Sequence, residues 1–189
     1  MAKEYFLHTP LKESDLLQLE IGDKLFITGK IYSARDAAHK KLTELLQKGE
    51  TLPFDIKGQV IYYVGPSPEK PGTPIGSAGP TTSYRMDKYS PTLLDIGLKG
   101  MIGKGERSKA VVDAIVRNKA VYLIAVGGAG VLLAQSIKAS KIIAYEELGA
   151  EALREMEVEN FPCFVGIDTK GNDLYAKGVE EYQIREDVK

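Results

Sequence analysis

The chain has 189 residues, 43% hydrophobic and 27% charged, and its 25 lysines and arginines balance 26 acids to a net charge of −1. That composition suits one packed domain and lacks the basic excess of a nucleic-acid binder, and no apolar run is long enough to span a bilayer. One cysteine (Cys163) and two histidines (His8, His39) exclude an intrachain disulfide and leave too few thiolates and imidazoles for a Cys/His zinc site or an iron–sulfur cluster on this chain alone.

In chain order, Tyr5–Leu7 is a short apolar stretch, Thr9-Pro10 starts a turn, and Ser14-Asp15 can cap a brief helix over Leu16, Leu17 and Leu19. Lys24 to Ile31 alternates as a half-buried strand does. Ser33, three residues before Asp36, reads as a capping box that opens a helix with Ala38, Leu42, Leu45 and Leu46 on one side, ended by Gly49. Gln59–Val64 is a second strand. Residues 65–80 hold five of the nine prolines, so neither helix nor central strand runs through them. The segment is expected to be mobile in the chain alone and to close over a ligand.

Helix is expected over Thr81–Lys88, broken before Pro91, and again over Thr92–Leu98. A short strand at Met101-Ile102 leads to Gly103-Lys104-Gly105 and a helix from Glu106 to about Lys119, with Val111, Val112 and Ile115 inward. Ala120–Val126 is a fully buried strand, followed by the glycine turn Gly127–Gly130, a helix to about Ala139 and a strand over Lys141–Tyr145. A helix near Glu151–Glu157, a strand near Phe161–Ile167 and the turn Asp168–Asn172 complete the pattern; residues 182–189 read as a frayed tail. Alternating strands and helices make the class α/β, with a mixed or parallel sheet in one domain over 1–189. The amino-terminal residues show no secretory pattern, which points to a cytoplasmic location.

Two kinds of chemistry fit these elements. The Gly127–Gly130 turn imitates a dinucleotide fingerprint but has Leu133 where the third small residue belongs; a tight strand-to-helix turn is the simpler reading. The cations suggest another. Arg35 and His39 are four apart on one helix; Thr81 and Arg85 sit four apart at a helix start; Lys104 and Arg107 flank another. Hydroxyl, guanidinium and free amides at helix starts favour a ligand with several carboxylates. Taken singly, each cation has a simpler reading too, with Arg35 paired to Asp36 or another acid and Lys104 in solvent.

Four motifs occur in order: RDAAH (35–39), GPTTSYRMD (79–87), GKG (103–105) and AVGGAG (125–130). Through them the chain resembles the β subunit, or C-terminal domain, of class I iron–sulfur fumarases and L-tartrate dehydratases over roughly residues 5–175. The resemblance implies a swivelling β/β/α domain with a mixed sheet and flanking helices. It implies a separately encoded β subunit in a hetero-oligomer, inactive alone, whose α partner carries the [4Fe–4S] cluster. No metal or cofactor is then held by this chain. Arg35, Arg85 and Lys104 become the cations that bind a small dicarboxylate, Thr81 the candidate base and His39 its neighbour. Ala37-Ala38 and Gly127-Gly128-Ala129, without the cysteines of the tartrate branch, favour fumarate hydration to L-malate, while Tyr84 stands where the fumarase branch often has a small residue and leaves the exact substrate open. Cys163, in the apolar run FPCFVGI, reads as a small core residue.

Overall fold

The computed structural model describes residues 2–183; most of the expected tail, residues 184–189, lies outside the described residues. Seven strands form one mixed sheet: β1 (Glu4–His8), β2 (Lys24–Ser33), β3 (Val60–Tyr62), β4 (Gly100–Gly103), β5 (Val121–Ile124), β6 (Ile137–Ala144) and β7 (Leu153–Ile167). Strands β1 to β5 lie side by side in parallel. Strand β7 runs antiparallel to β5 and β6, and its other edge pairs with β2 from Lys24↔Phe164 to Ser33↔Arg154. The β2–β7 pairing closes β2, β3, β4, β5 and β7 into a ring, leaving β1 and β6 as flaps.

The closed ring explains why short strands can be apolar without interruption. Along β3 and the residues that follow it, Val60, Tyr62 and Val64 face the interior, with Leu25, Ile27, Leu123, Met156, Phe161 and Cys163. Ile61 and Tyr63 face outward, with Met101, Tyr122 and Ile167. That outer layer is covered by the crossovers that parallel strands require. These are α2 (Asp36–Gln47), α3 (Ser90–Asp95) and α4 (Lys109–Asn118). Helix α2 buries Ala38, His39 and Leu42, and α4 buries Val111, Ala114 and Ile115. Short α1 (Glu13–Leu16), α5 (Gly130–Gln135) and α6 (Leu174–Tyr182) complete the helices.

Several expected elements shift. Ser33 is the last residue of β2, and Arg35 occupies the N-cap of α2 without a side-chain cap bond, so no capping box forms. The helix expected over 81–88 shrinks to a 3₁₀ turn at Ser83–Met86 because Thr81 and Thr82 pair instead with the strand end at Lys104. Helix α3 starts at Ser90 with Pro91 in its first turn, where proline's missing N–H costs nothing. Helix α5 stops at Gln135, and β6 begins two residues later. Residues 153–157, expected as helix, belong to β7; Glu146–Glu151 forms a 3₁₀ segment instead.

Nor does the 65–80 segment hang free. Pro66, Ile75, Ala78 and Pro80 are buried, the Tyr62 hydroxyl donates to Ala78 O, and Val64 bridges Pro80. These anchors count against a segment mobile along its whole length; its exposed stretch is 67–74.

Candidate functional site

The carboxyl ends of β2, β3, β4 and β5 point the same way, and the loops that leave them form one rim, the usual place for a ligand on parallel strands. Strand β2 delivers Arg35 and Asp36, β3 delivers Gly65 and the long segment that returns at Thr81, β4 delivers Lys104, and β5 delivers the glycine turn.

Two guanidiniums meet one carboxylate there. Arg85 donates from Nε to Asp36 Oδ1 at 2.9 Å, with Nη2 2.7 Å from Oδ2. Arg35 Nη2 lies 3.8 Å from the same Oδ2 and 3.1 Å from Glu151 Oε1. The Arg35 head lies over Gly65, where a Cβ would come within 2.7 Å of Nη1, and its buried Nε has no hydrogen-bond partner among the described residues. Both arginines remain partly open to solvent, at 21% and 39% of side-chain area.

Thr81 and Lys104 are joined by the backbone. Thr81 N–H donates to Tyr63 O at 2.7 Å, Lys104 N–H to Thr81 O at 3.3 Å, and Ser83 N–H to Lys104 O at 2.8 Å. Thr81 therefore precedes the helical turn, and its amide is already bonded, contrary to the expected free amides at a helix start. The Lys104 stem runs beside Gly127, where a Cβ would lie 3.7 Å from Cδ and 4.0 Å from Nζ. Lys104 enters no ion pair among the described residues. Both backbone groups of Gly105 are gripped by phenols: its N–H donates to the Tyr175 hydroxyl at 3.0 Å, and its carbonyl accepts from Tyr122 at 2.9 Å. Tyr122 also contacts Ser83 Oγ at 2.9 Å.

His39 lies apart from this rim. It is fully buried, its ring edge-on to Tyr63 at 5.3 Å and tilted against Tyr89 at 6.1 Å. Nδ1 sits 2.9 Å from Arg35 O; because a carbonyl only accepts, the hydrogen is assigned to Nδ1. Nε2 is buried without a hydrogen-bond partner among the described residues. Burial, opposed by the Arg35 carbonyl and aided by the Arg107 charge, pushes the imidazole down to about 4. The shared face expected for Arg35 and His39 does not form, since Arg35 caps the helix and His39 turns inward.

Arg107 is the larger correction to the cation pattern. Its fully buried side chain lies against the rings of Tyr63 and Tyr122, at 5.4 and 4.9 Å, and bonds Asp87 Oδ1 at 2.7 Å and Ser90 Oγ at 2.8 Å. It braces the GPTTSYRMD segment from beneath and is not available to a ligand. Asp36, Tyr122, Tyr175 and Glu151 are contributors that the motifs did not single out as parts of a site. For Glu151, a position 116 residues beyond Arg35, no local signal exists.

The nucleotide alternative fails on topology. A dinucleotide fingerprint needs a second parallel strand after its helix, but β6 pairs antiparallel with β7 at the far side of the sheet. The glycine turn serves close packing instead: a Cβ on Gly130 would lie 2.6 Å from Ser77 Oγ and 2.9 Å from Gly79 N. A cavity of about 680 Å³ lies beyond that packed turn, lined in part by Ile75, Val131 and Ile137 and by none of the rim cations.

No group of three or more His, Cys, Asp or Glu side chains among the described residues is placed to hold a metal ion. Cys163 is sealed inside the ring, where burial pushes its thiol up. The donor set of this chain does not fit an iron–sulfur cluster. No helix among the described residues is long and apolar enough to cross a membrane.

Residues 2–178 match the family model described as Fumarase C-terminus. The chain is 45% identical over 179 residues to "Fumarate hydratase class I, anaerobic" of Escherichia coli, covering 93% of this chain and 33% of that protein. It is 42% identical over 164 residues to "Fumarate hydratase 2" of Leishmania major, covering 86% and 29%. With "L(+)-tartrate dehydratase subunit beta" of Escherichia coli it shares 33% identity over 186 residues, covering 96% and 91%. It thus spans about a third of the fumarate hydratases it matches and most of the tartrate dehydratase subunit.

Proposed function

This chain belongs to the Fumarase C-terminus family, and from that premise we propose that residues 1–189 form the single-domain β subunit of a hydro-lyase, a fumarate hydratase that interconverts fumarate and L-malate. In this reading the domain is of the swivelling β/β/α type, and the [4Fe–4S] cluster implied by the family resemblance belongs to a separate α subunit. The observation that carries the reading is the pair of arginines converging on one carboxylate at the open rim, beside the backbone-linked Thr81 and Lys104.

Hydration of fumarate builds negative charge on a carboxylate already charged. Cations held in place before the reaction stabilise that extra charge more than they stabilise the substrate. Arg35 and Arg85 grip the substrate carboxylate in exchange for part of their contact with Asp36 and Glu151, which hold both heads at the rim until then. Lys104, with no acidic partner among the described residues, supplies a further charge to the bound dianion. Thr81, four residues before Arg85 and bonded through its backbone to Lys104, moves the proton at the carbon, with the neighbouring cationic charge favouring its alkoxide. His39 is a positioning residue here, holding the Arg35 carbonyl rather than touching substrate.

The test is anaerobic coexpression with a cluster-bearing α chain, with fumarate hydration followed by ultraviolet absorbance. Activity of the pair and none of the separate chain is expected, and Arg85→Ala should lower kcat/KM by about 100-fold or more. An inactive pair with a loaded cluster, or a neutral Arg85→Ala, overturns the assignment. The tartrate dehydratase subunit, matched along 91% of its length, favours L-tartrate as the second reading. Assaying both substrates on the same pair decides between them.

A further inference from the structure

We infer that the uncharged surface made by Val126, Val131 and Leu132, with the apolar cavity beside it, is the docking face for the larger chain with which this one shares its site; the inference rests on the two-chain reading above.

Helix α5 is packed through Leu133, which is 2% exposed, yet its neighbours Val131 and Leu132 are 68% and 65% exposed, and Val126 before the turn is 53% exposed. Large apolar side chains scattered singly on a surface are ordinary, whereas these three fall within seven residues on either side of one tight turn. The patch also lacks the charges that keep a free surface solvated: residues 120–137 contain no Asp, Glu, Lys or Arg. Depletion of charge around apolar side chains marks the centre of an interface. Beside Val131, the cavity of about 680 Å³ is walled by Ile75, Ala134 and Ile137, with Lys70 and Lys138 at its rim. It offers sockets for apolar side chains of a partner, with Lys70 on one side and Lys138, 3.6 Å from Glu159, on another.

Position and length identify the occupant. The turn between Val126 and Val131 lies against Lys104 through Gly127 and against the 77–79 segment through Gly130. A chain seated on the patch therefore roofs the Lys104 side of the rim and removes water from it. Two of the fumarate hydratases matched here carry roughly two thirds of their length beyond the matched region, while the matched tartrate dehydratase subunit has no such excess. A second polypeptide equivalent to that further length of the relatives fits the patch, presenting an apolar ridge edged by acidic residues toward Lys70.

The experiment coexpresses the full chain with the cluster-bearing α chain of the same organism and compares three forms: wild type, Val131→Lys/Leu132→Lys, and Phe6→Lys. Phe6 is 65% exposed on β1, away from the rim, and serves as the control. Since the substituted side chains are solvent-exposed, each variant alone should unfold within about 2 °C of wild type. The expected result is a complex for wild type and Phe6→Lys, and at least a tenfold weaker one for the double variant. A double variant that pairs as wild type, with hydratase activity intact, overturns the docking face and leaves the proposed function standing. A wild-type chain that forms no complex overturns both. A wild-type homodimer that the double variant breaks, with α-chain binding unaffected, assigns the face to a second copy and overturns this occupant.

Discussion

Arg107 keeps its charge inside the protein because the Asp87 carboxylate, Ser90 and two tyrosine rings replace the water lost around its guanidinium. Arg107→Met leaves Asp87 and Ser90 without that partner and should cost about 3–5 kcal/mol of stability, read as the shift of a urea unfolding midpoint multiplied by m. His39 meets burial in the opposite way, by staying neutral. Its folded pKa of about 4 lies below the ordinary 6.5, so the unfolded chain binds more protons between those values and stability falls as pH drops through that window. The loss approaches about 3 kcal/mol near pH 4. His39→Asn, whose amide can still donate to Arg35 O, should flatten that part of the curve relative to wild type when unfolding midpoints are taken from pH 7 to pH 4. An unchanged slope would show that His39 is not the group responsible. In the sequence, Arg107 and Lys104 look alike, two cations three residues apart just before a helix. What separates them is the pair Tyr63 and Tyr122, and the first of these is 44 residues away.

At the scale of elements, the strands of the parallel half are legible because each is an apolar run between turn residues, and the motifs fall at their ends. β7 is legible only in its second half, at Phe161–Ile167, because Glu151–Glu157 is rich in good helix formers. Backbone pairing with β2 on one edge and β6 on the other overrides that preference, and Met156 and Val158 turn into the ring interior. Met156→Ala should therefore cost about 2–5 kcal/mol by chemical denaturation, as for a buried core side chain, and not the few tenths of an exposed helical site. The link between α6 and the Lys104 loop was equally hidden, since a single phenol 70 residues downstream makes it. Tyr175→Phe removes the hydrogen bond from Gly105 N–H. Exchange of that amide with deuterium should quicken while amides in β2 and β7 keep their protection, and kcat should fall more than the stability does because Lys104 loses its fixed loop.

On the scale of the whole molecule, parallel strands bring Arg35, the Thr81–Arg85 segment and Lys104 from three separate stretches of sequence to one rim, and no spacing rule encodes that convergence. The closure by β7 carries a consequence for biosynthesis. Lys24 pairs with Phe164, 140 positions later, so the ring cannot shut until the strand at 153–167 has left the ribosome. Until then the long edge of β2 stands unpaired beside an exposed apolar lining, an open template for a second nascent chain. Contacts so distant in sequence make folding slow. Chaperone demand during translation, and aggregation of chains arrested before residue 153, are thus built into the topology that assembles the site.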